Sequence, residues 1–198
     1  MRRIGITGSI ATGKSTLLAA FARTGVPVLS ADALVAELYA GEAIAPVEAL
    51  FPGIVRDGMI DRQELGKRLA TDPSGFARLE AVIHPLVRAR IARFLNEAER
   101  EGHELAVVEV PLLFESGYDY GFDTVAVTHV DPMIQQQRIL ARPGMNVEKM
   151  QTLLARQWPQ AEKMARASWL FDTARPRDDI ESEVAELVAT IRAETKTP

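Results

Sequence analysis

The stretch from Gly5 to Thr16, GITGSIATGKST, constrains this chain more than any other part of it. Gly8, Gly13, Lys14 and Ser15 stand at the fixed positions of G-x-x-x-x-G-K-[ST]. The flanks agree with that spacing. RRIGIT before it is a short β-rich run ending at Thr7-Gly8, and KSTLLAAFAR (14–23) after it is rich in helix formers, with Gly25 placed to stop the helix. VPVLSAD (26–32) then reads as a second strand ending in polar residues. Strand, glycine loop, helix and strand make one βαβ unit, whose crossover implies parallel strands. Such a loop turns successive backbone N–H groups inward, and the following helix adds its positive end. Gly8, Ser9, Ile10, Ala11, Thr12, Gly13, Lys14, Ser15 and Thr16 therefore form a candidate cup for the phosphates of a nucleoside triphosphate. Lys14 would reach the β- and γ-phosphates, and Ser15 would ligate Mg²⁺. The cup is silent about any acceptor.

Bulk properties narrow the partners. The 198 residues imply one globular core with room for one insertion. The formal charge of -4 supplies no global basic field, so nucleic acid is not an expected partner and an anion must be held locally. The chain has no cysteine, which excludes disulfides, thiolate catalysis and cysteine zinc sites. No stretch approaches the ~20 apolar residues of a membrane span. MRRIGITGS carries no apolar run of signal-peptide length, and a cytoplasmic location is the expectation.

Residues 32–101 read as almost wholly helical, broken by FPGIVRDGMID (51–61) with its Pro-Gly and Asp-Gly turn signals. A helix start is expected at Asp72-Pro73, and His84-Pro85 stands between two helical runs. Leu86, Val87, Ile91, Phe94 and Leu95 then mark one apolar side of a long helix ended by Gly102. ELAVVEVP (104–111), DTVAVTHV (123–130) and SWLFDT (168–173) read as further strands. Helices are expected over 131–142, over NVEKMQTLLARQWPQAEKMARA with a kink or boundary at Pro159, and over DDIESEVAELVATIRAE, with Asp178 and Asp179 near its positive end. Five apolar strands alternating with helices, plus a helical insertion after the second strand, describe a three-layer α/β core with a lid or acceptor domain.

Several residues outside the cup carry two readings each. Asp32, at the end of the second strand, is either a general base for an attacking hydroxyl or the N-cap of ALVAELYA. His84 is a capped or packed imidazole, or, with Arg88 four residues on, part of a face that meets an anionic substrate. Arg88, Arg90 and Arg93 otherwise read as a solvated helix surface. Glu109 closes the third strand either as a carboxylate near Mg²⁺ or as a terminal polar residue. Arg138 and Arg142, spaced i, i+4 before the Pro143-Gly144 break, are either solvated or mobile cations that neutralise a transferring phosphoryl group. No N-K-x-D element for guanine recognition follows any strand, and no His/Asp/Glu cluster has zinc spacing.

In sum the chain resembles the dephospho-coenzyme A kinases from about residue 3 to about residue 173. IGITGSIATGKST is similar to the family's opening, VLSADALV to its segment after the second strand, LEAVIHPLVR to its His-Pro helix, VPLLFESG to its Pro-Leu-Leu-Phe-Glu segment, and QRILARPGMNVEKMQTLLARQ to its lid. The resemblance implies a P-loop core with a five-stranded parallel sheet (1–30 and 102–198), a helical CoA-substrate insertion (31–101) and a lid (about 138–158). It implies ATP and Mg²⁺ as cofactors, dephospho-CoA as acceptor, and transfer to the ribose 3′-hydroxyl. It implies Asp32, Lys14 and Arg142 as catalytic residues, Arg138 and Arg142 on ATP phosphates, and Asp32, His84 and Arg88 on the acceptor. Gln157 matches the glutamine closing the lid helix. Ser9 and Ala11 replace two family glycines, so the loop forms provided residue 11 does not need positive φ. Ser30 and Glu109 stand where the family usually has Asp. Thr173 stands near its asparagine, whose adenine-edge bond would pass to Thr173 or the backbone. A kinase of another small hydroxyl acceptor and a non-catalytic nucleotide-binding module are the alternatives.

Overall fold

In the computed structural model, which describes residues 1–72 and 74–195, the chain runs β1 (Arg2–Thr7), α1 (Lys14–Arg23), β2 (Val28–Ser30), α2 (Ala31–Tyr39) and α3 (Ile44–Leu50). It continues with β3 (Val55–Arg56), β4 (Met59–Ile60), α4 (Arg62–Thr71), α5 (Ser74–Arg100), β5 (Leu105–Glu109), β6 (Thr124–His129) and α6 (Pro132–Leu140). Last come α7 (Val147–Ala155), α8 (Gln160–Met164), β7 (Trp169–Asp172) and α9 (Arg177–Thr195). Two compact units result: Met1–Ser30 with the chain from Leu95 on, and Ala31–Phe94. None of the described helices is long and apolar enough to cross a membrane.

The first unit holds a five-stranded parallel sheet of order β2-β5-β1-β6-β7. The middles of the central strands are apolar and buried because both faces are covered there, the usual state of a parallel sheet. Ile4, Ile6, Leu105, Val107, Ala126 and Phe171 share one buried cluster with Leu17 and Phe21 of α1 and with Ile180, Val184, Val188 and Ile191 of α9. Phe21 meets Phe171 edge-on, with ring centroids 6.5 Å apart. Ala106, Val108 and Val127, one step out of phase, are buried on the opposite face. Gly5 is needed there: a Cβ would lie 2.5 Å from the Phe122 ring. The register places Glu109 beside both Ile6 and Ser30, so the C-terminal ends of β1, β2 and β5 are level.

In the second unit the expected break in the helices at 51–61 contains strands that were not expected. Residues 55–60 form a small antiparallel hairpin, β3 with β4, turned by Asp57 and Gly58 at φ 50° and 75°. Glu48 holds its approach, accepting from the amides of Gly53, Ile54 and Val55 at 2.6, 3.0 and 3.1 Å. Asp61 caps α4 by accepting from Gln63 and Glu64. The expected start at Asp72-Pro73 falls partly outside the described residues, since Pro73 is not among them; α5 begins at Ser74.

The expected junction at His84-Pro85 is also corrected, because α5 runs through Pro85 as one helix. A mid-helix proline removes one ladder bond and costs ~3 kcal/mol. The bond lost is to the carbonyl of Ala81, and both residues are exposed, so water can serve that carbonyl. The opposite face, Leu79, Ile83, Val87, Ile91 and Leu95, is buried and holds the helix together.

Candidate active site

The phosphate cup is built from backbone in sparsely used conformations. Gly8 and Gly13 have φ of 154° and 84°, and Gly13 is the N-cap of α1. A Cβ at Gly8 would strike the Thr128 hydroxyl and lie 2.7 Å from Thr12 Oγ1; one at Gly13 would lie 2.8 Å from the Thr173 side chain. Both glycines therefore let neighbouring strands close on the loop. Ala11 sits at φ 62°. The condition set on residue 11 is not met: the loop forms with Ala11 at positive φ, and Ala11 bears left-handed strain. Lys14 Nζ arches over the loop and donates to the carbonyls of Gly8 and Ser9 at 3.0 and 3.1 Å. Ser15 is exposed and Thr16 half-buried in the first turn of α1, which has no acidic residue to oppose an anion.

Two sets of polar contacts brace this loop. Thr12 Oγ1 bonds the Ser9 carbonyl at 2.8 Å and meets Thr128 Oγ1 at 2.7 Å. Thr173 Oγ1 donates to the Thr12 carbonyl at 2.9 Å, and Arg138 donates to Thr173 Oγ1 and O at 3.0 and 2.7 Å. Thr173 is buried and its hydroxyl is engaged by Thr12 and Arg138.

On the other side both polar groups of the Ile10 residue are held. Gln157 Oε1 accepts from Ile10 N and Gln135 Nε2 donates to Ile10 O, each at 2.8 Å. Gln160 Nε2 donates to Gln135 Oε1 at 2.8 Å, and its Oε1 accepts from Val130 N. The segment carrying Gln157 is itself anchored. Glu115 Oε1 accepts from Trp158 N at 2.8 Å and pairs with Lys163 Nζ at 2.7 Å. Lys163 is fully buried, and burial pushes its ammonium below the ordinary lysine range while Glu115 pulls it back. The Trp158 ring stacks on Phe114 at 6.0 Å and carries the Arg166 guanidinium at 4.4 Å.

The remaining expected residues are placed as follows. Glu109 is buried at the end of β5, where its Oε2 accepts from Ser30 Oγ at 2.9 Å. α6 ends at Leu140, earlier than expected: Ala141 is the C-cap, still bonded to the Gln137 carbonyl, and the Arg142 amide turns to the Ile139 carbonyl three residues back. Arg142 therefore lies beyond the helix, exposed, while Arg138 stays in its last turn. The structure thus separates two arginines that the i, i+4 spacing had put on one helix. In the second unit Asp32 is exposed within the first turn of α2, which begins at Ala31; it is not the N-cap, and that reading falls. His84 is exposed and Arg88 half-buried on α5, one turn apart. Arg90 is not simply solvated: it pairs with Glu37 and Glu42 at 3.2 and 3.1 Å.

The family profile for CoaE, dephospho-CoA kinase, matches residues 2–177. The chain belongs to this family. A dephospho-CoA kinase of Rhizobium etli is 47% identical over 192 residues, covering 97% of this chain and 95% of the relative. Among solved structures, a dephospho-CoA kinase from Campylobacter jejuni is similar with a TM-score of 0.74 and 25% identity, over 96% of this chain and 98% of that one. TT1252 from Thermus thermophilus is similar with a TM-score of 0.78 and 33% identity, over 96% of this chain and 97% of the other. Membership in the dephospho-CoA kinases makes the chain an ATP-using phosphotransferase with a P-loop kinase fold.

Of the residues that brace the loop, Arg138, Gln157 and Thr173 were singled out in the sequence, whereas Thr128, Gln135, Gln160, Glu115 and Lys163 were not. Gln135, Gln160 and Lys163 sit in stretches that read as ordinary amphipathic helix, and only Pro159, the N-cap of α8, hinted at a turn there.

Proposed function

We propose that this chain transfers the γ-phosphoryl group of ATP to the ribose 3′-hydroxyl of dephospho-CoA, giving coenzyme A and ADP. The observation that carries the reading is the amide-lined cup of residues 8–16 at the head of α1, with Lys14 folded over it, in a chain of this family. The triphosphate lies in the cup, and Lys14 exchanges its loop carbonyls for phosphate oxygens. Arg142, exposed past the end of α6, supplies positive charge as the terminal phosphoryl moves, and Arg138 holds the phosphates from beside the loop. Asp32, two residues past the end of β2, orients the hydroxyl and receives its proton. His84 and Arg88 hold the acceptor's phosphates, with 31–101 as the acceptor-binding insertion and about 138–158 as the lid.

A Mg²⁺ ion fits the donors present. Ser15 offers an exposed hydroxyl and Glu109 a carboxylate, both hard oxygen ligands. Among the described residues no group of three or more His, Cys, Asp or Glu side chains is arranged to hold a metal. Ser15 and Glu109 would hold the ion together with phosphate oxygens, where it would neutralise charge on the transferring group. Both substrates are water-soluble, which agrees with action in the cytoplasm.

A coupled ADP-release assay with and without dephospho-CoA tests the reading, with the product identified by mass spectrometry. Release that depends on dephospho-CoA and yields coenzyme A is expected. Release with another small hydroxyl compound instead, or ATP binding with no acceptor-dependent turnover, would overturn it.

A further inference from the structure

Thr173 links the phosphate loop to Arg138 through a single hydroxyl. Its Oγ1 donates to the Thr12 carbonyl at 2.9 Å and accepts from Arg138 Nη1 at 3.0 Å. A hydroxyl has one proton and two lone pairs, so committing the proton to Thr12 leaves a lone pair for the guanidinium. The Thr173 carbonyl takes Arg138 Nη2 at 2.7 Å, which makes the contact a two-pronged clamp. Three further features fix the clamp. Thr173 N donates to the His129 carbonyl at 3.0 Å, at the end of β6. Gly13 leaves the space into which the Thr173 side chain fits. The residue is only 6% exposed.

We propose that Thr173 is a positioning residue: it orients the Arg138 guanidinium relative to residues 8–16, so that the donors left over on that fork meet the phosphates of a nucleoside triphosphate in one arrangement. A guanidinium on a long stem otherwise has several rotamers, and fixing it beforehand lowers the ordering cost of binding. The nature of the ligand rests on the kinase reading; the clamp rests on the contacts alone.

Two substitutions separate the hydroxyl from the shape of the side chain. Thr173→Val keeps the branched shape and removes the hydroxyl, whereas Thr173→Ser keeps the hydroxyl. The readouts are affinity for a fluorescent N-methylanthraniloyl-ATP and, separately, KM for ATP against kcat. Thr173→Val is expected to weaken nucleotide binding about ten-fold, the scale of a hydrogen bond to a charged group. Thr173→Ser is expected to stay within about two-fold of the parent, since it keeps that bond. In an Arg138→Ala background the valine substitution is expected to add less than about two-fold, because coupled contacts are not additive. Unchanged binding by a folded Thr173→Val, a serine variant as weak as the valine one, or a valine effect undiminished without Arg138 would each overturn the proposal. Should Thr173→Val not fold, Arg138→Lys decides: it keeps the charge and loses the fork, and binding as tight as the parent's would overturn the clamp. The binding readout needs no acceptor, so a parent enzyme that binds nucleotide without phosphorylating dephospho-CoA would sink the kinase reading and leave this test standing.

Discussion

Gln157 places its Oε1 2.8 Å from the amide of Ile10, joining the segment after α7 to the phosphate loop across 147 positions of chain. One N–H of the loop is thereby occupied from outside, and the loop's shape depends on residues that follow its own helix by most of the chain. Replacing Gln157 by Leu leaves that N–H without its partner, at a cost of about 1–3 kcal/mol if water does not replace it. Weaker nucleotide binding, read by titration calorimetry, is the expected outcome, with little change in KM for the acceptor.

Asp32 stands inside the first turn of α2, one residue past its start at Ala31. Asp32→Asn is therefore expected to leave stability and ATP affinity nearly intact while kcat falls by about 10²–10⁴, the scale of a lost general base. Steady-state kinetics beside thermal unfolding check this; normal turnover would remove Asp32 from the chemistry.

Arg142 is exposed and Arg138 is clamped to Thr173, so the two are expected to fail differently. Arg142→Ala should lower kcat with a small effect on dephospho-CoA binding. Arg138→Ala should act chiefly through KM for ATP. Single-turnover measurements at saturating ATP distinguish them.

The buried pair of Lys163 and Glu115 predicts a large stability effect. Lys163→Met leaves Glu115 nearly buried without its cation, and breaking such a pair costs about 3–5 kcal/mol. Adding Glu115→Gln removes the stranded charge and is expected to recover a good part of that loss. Urea unfolding of the two variants and the parent measures it. A single mutant as stable as the parent would show that the pair contributes little.

Acid should weaken the second unit first. Glu48 is held below its ordinary 4.5 chiefly by the Gly53 amide, Asp61 below 3.8 chiefly by the Glu64 amide, and Asp72 below 3.8 chiefly by the Ser74 hydroxyl. For each, the unfolded chain takes up its proton at a higher pH than the folded one. Their contribution is complete above the ordinary values and is lost as pH falls through the depressed ones. Unfolding midpoints are expected to decline below about pH 4. The triple change Glu48→Gln, Asp61→Asn, Asp72→Asn should lower stability at neutral pH and flatten that decline.

What could be read from the chain beforehand follows the range of the interactions involved. The cup, the first βαβ unit and the later strands depend on local spacing and apolar runs, and these are visible along the sequence. The hairpin at 55–60 announced itself only as Asp-Gly, since strands of two residues are too short to show alternation. Pro85 signalled a break that the buried face of α5 overrides. Lys163 lies in QAEKM, which reads as a solvated helix; its burial depends on Glu115 and the carbonyl of Pro111, which lie far from it in the chain. Gln135 was opaque for the same reason, and Thr173 was singled out only through the family resemblance, for an adenine-edge bond rather than for its contacts with Thr12 and Arg138. Ala11 showed the limit from the other side: its residue type argued against the conformation that the loop imposes. Relieving that conformation with Ala11→Gly is expected to raise stability by about 0.5–1 kcal/mol, read as a small rise in Tm.

The strand order has a consequence for how the molecule is made. β1 sits between β5 and β6, so the piece of sheet that emerges first from the ribosome has no neighbour until Leu105 and then Thr124 have been translated. At ~5–20 residues per second, that leaves an oily, unpaired ribbon waiting for seconds. The nascent chain is thus expected to need shielding until then, and slowing translation after residue 100 is expected to lengthen that need, read as more aggregation.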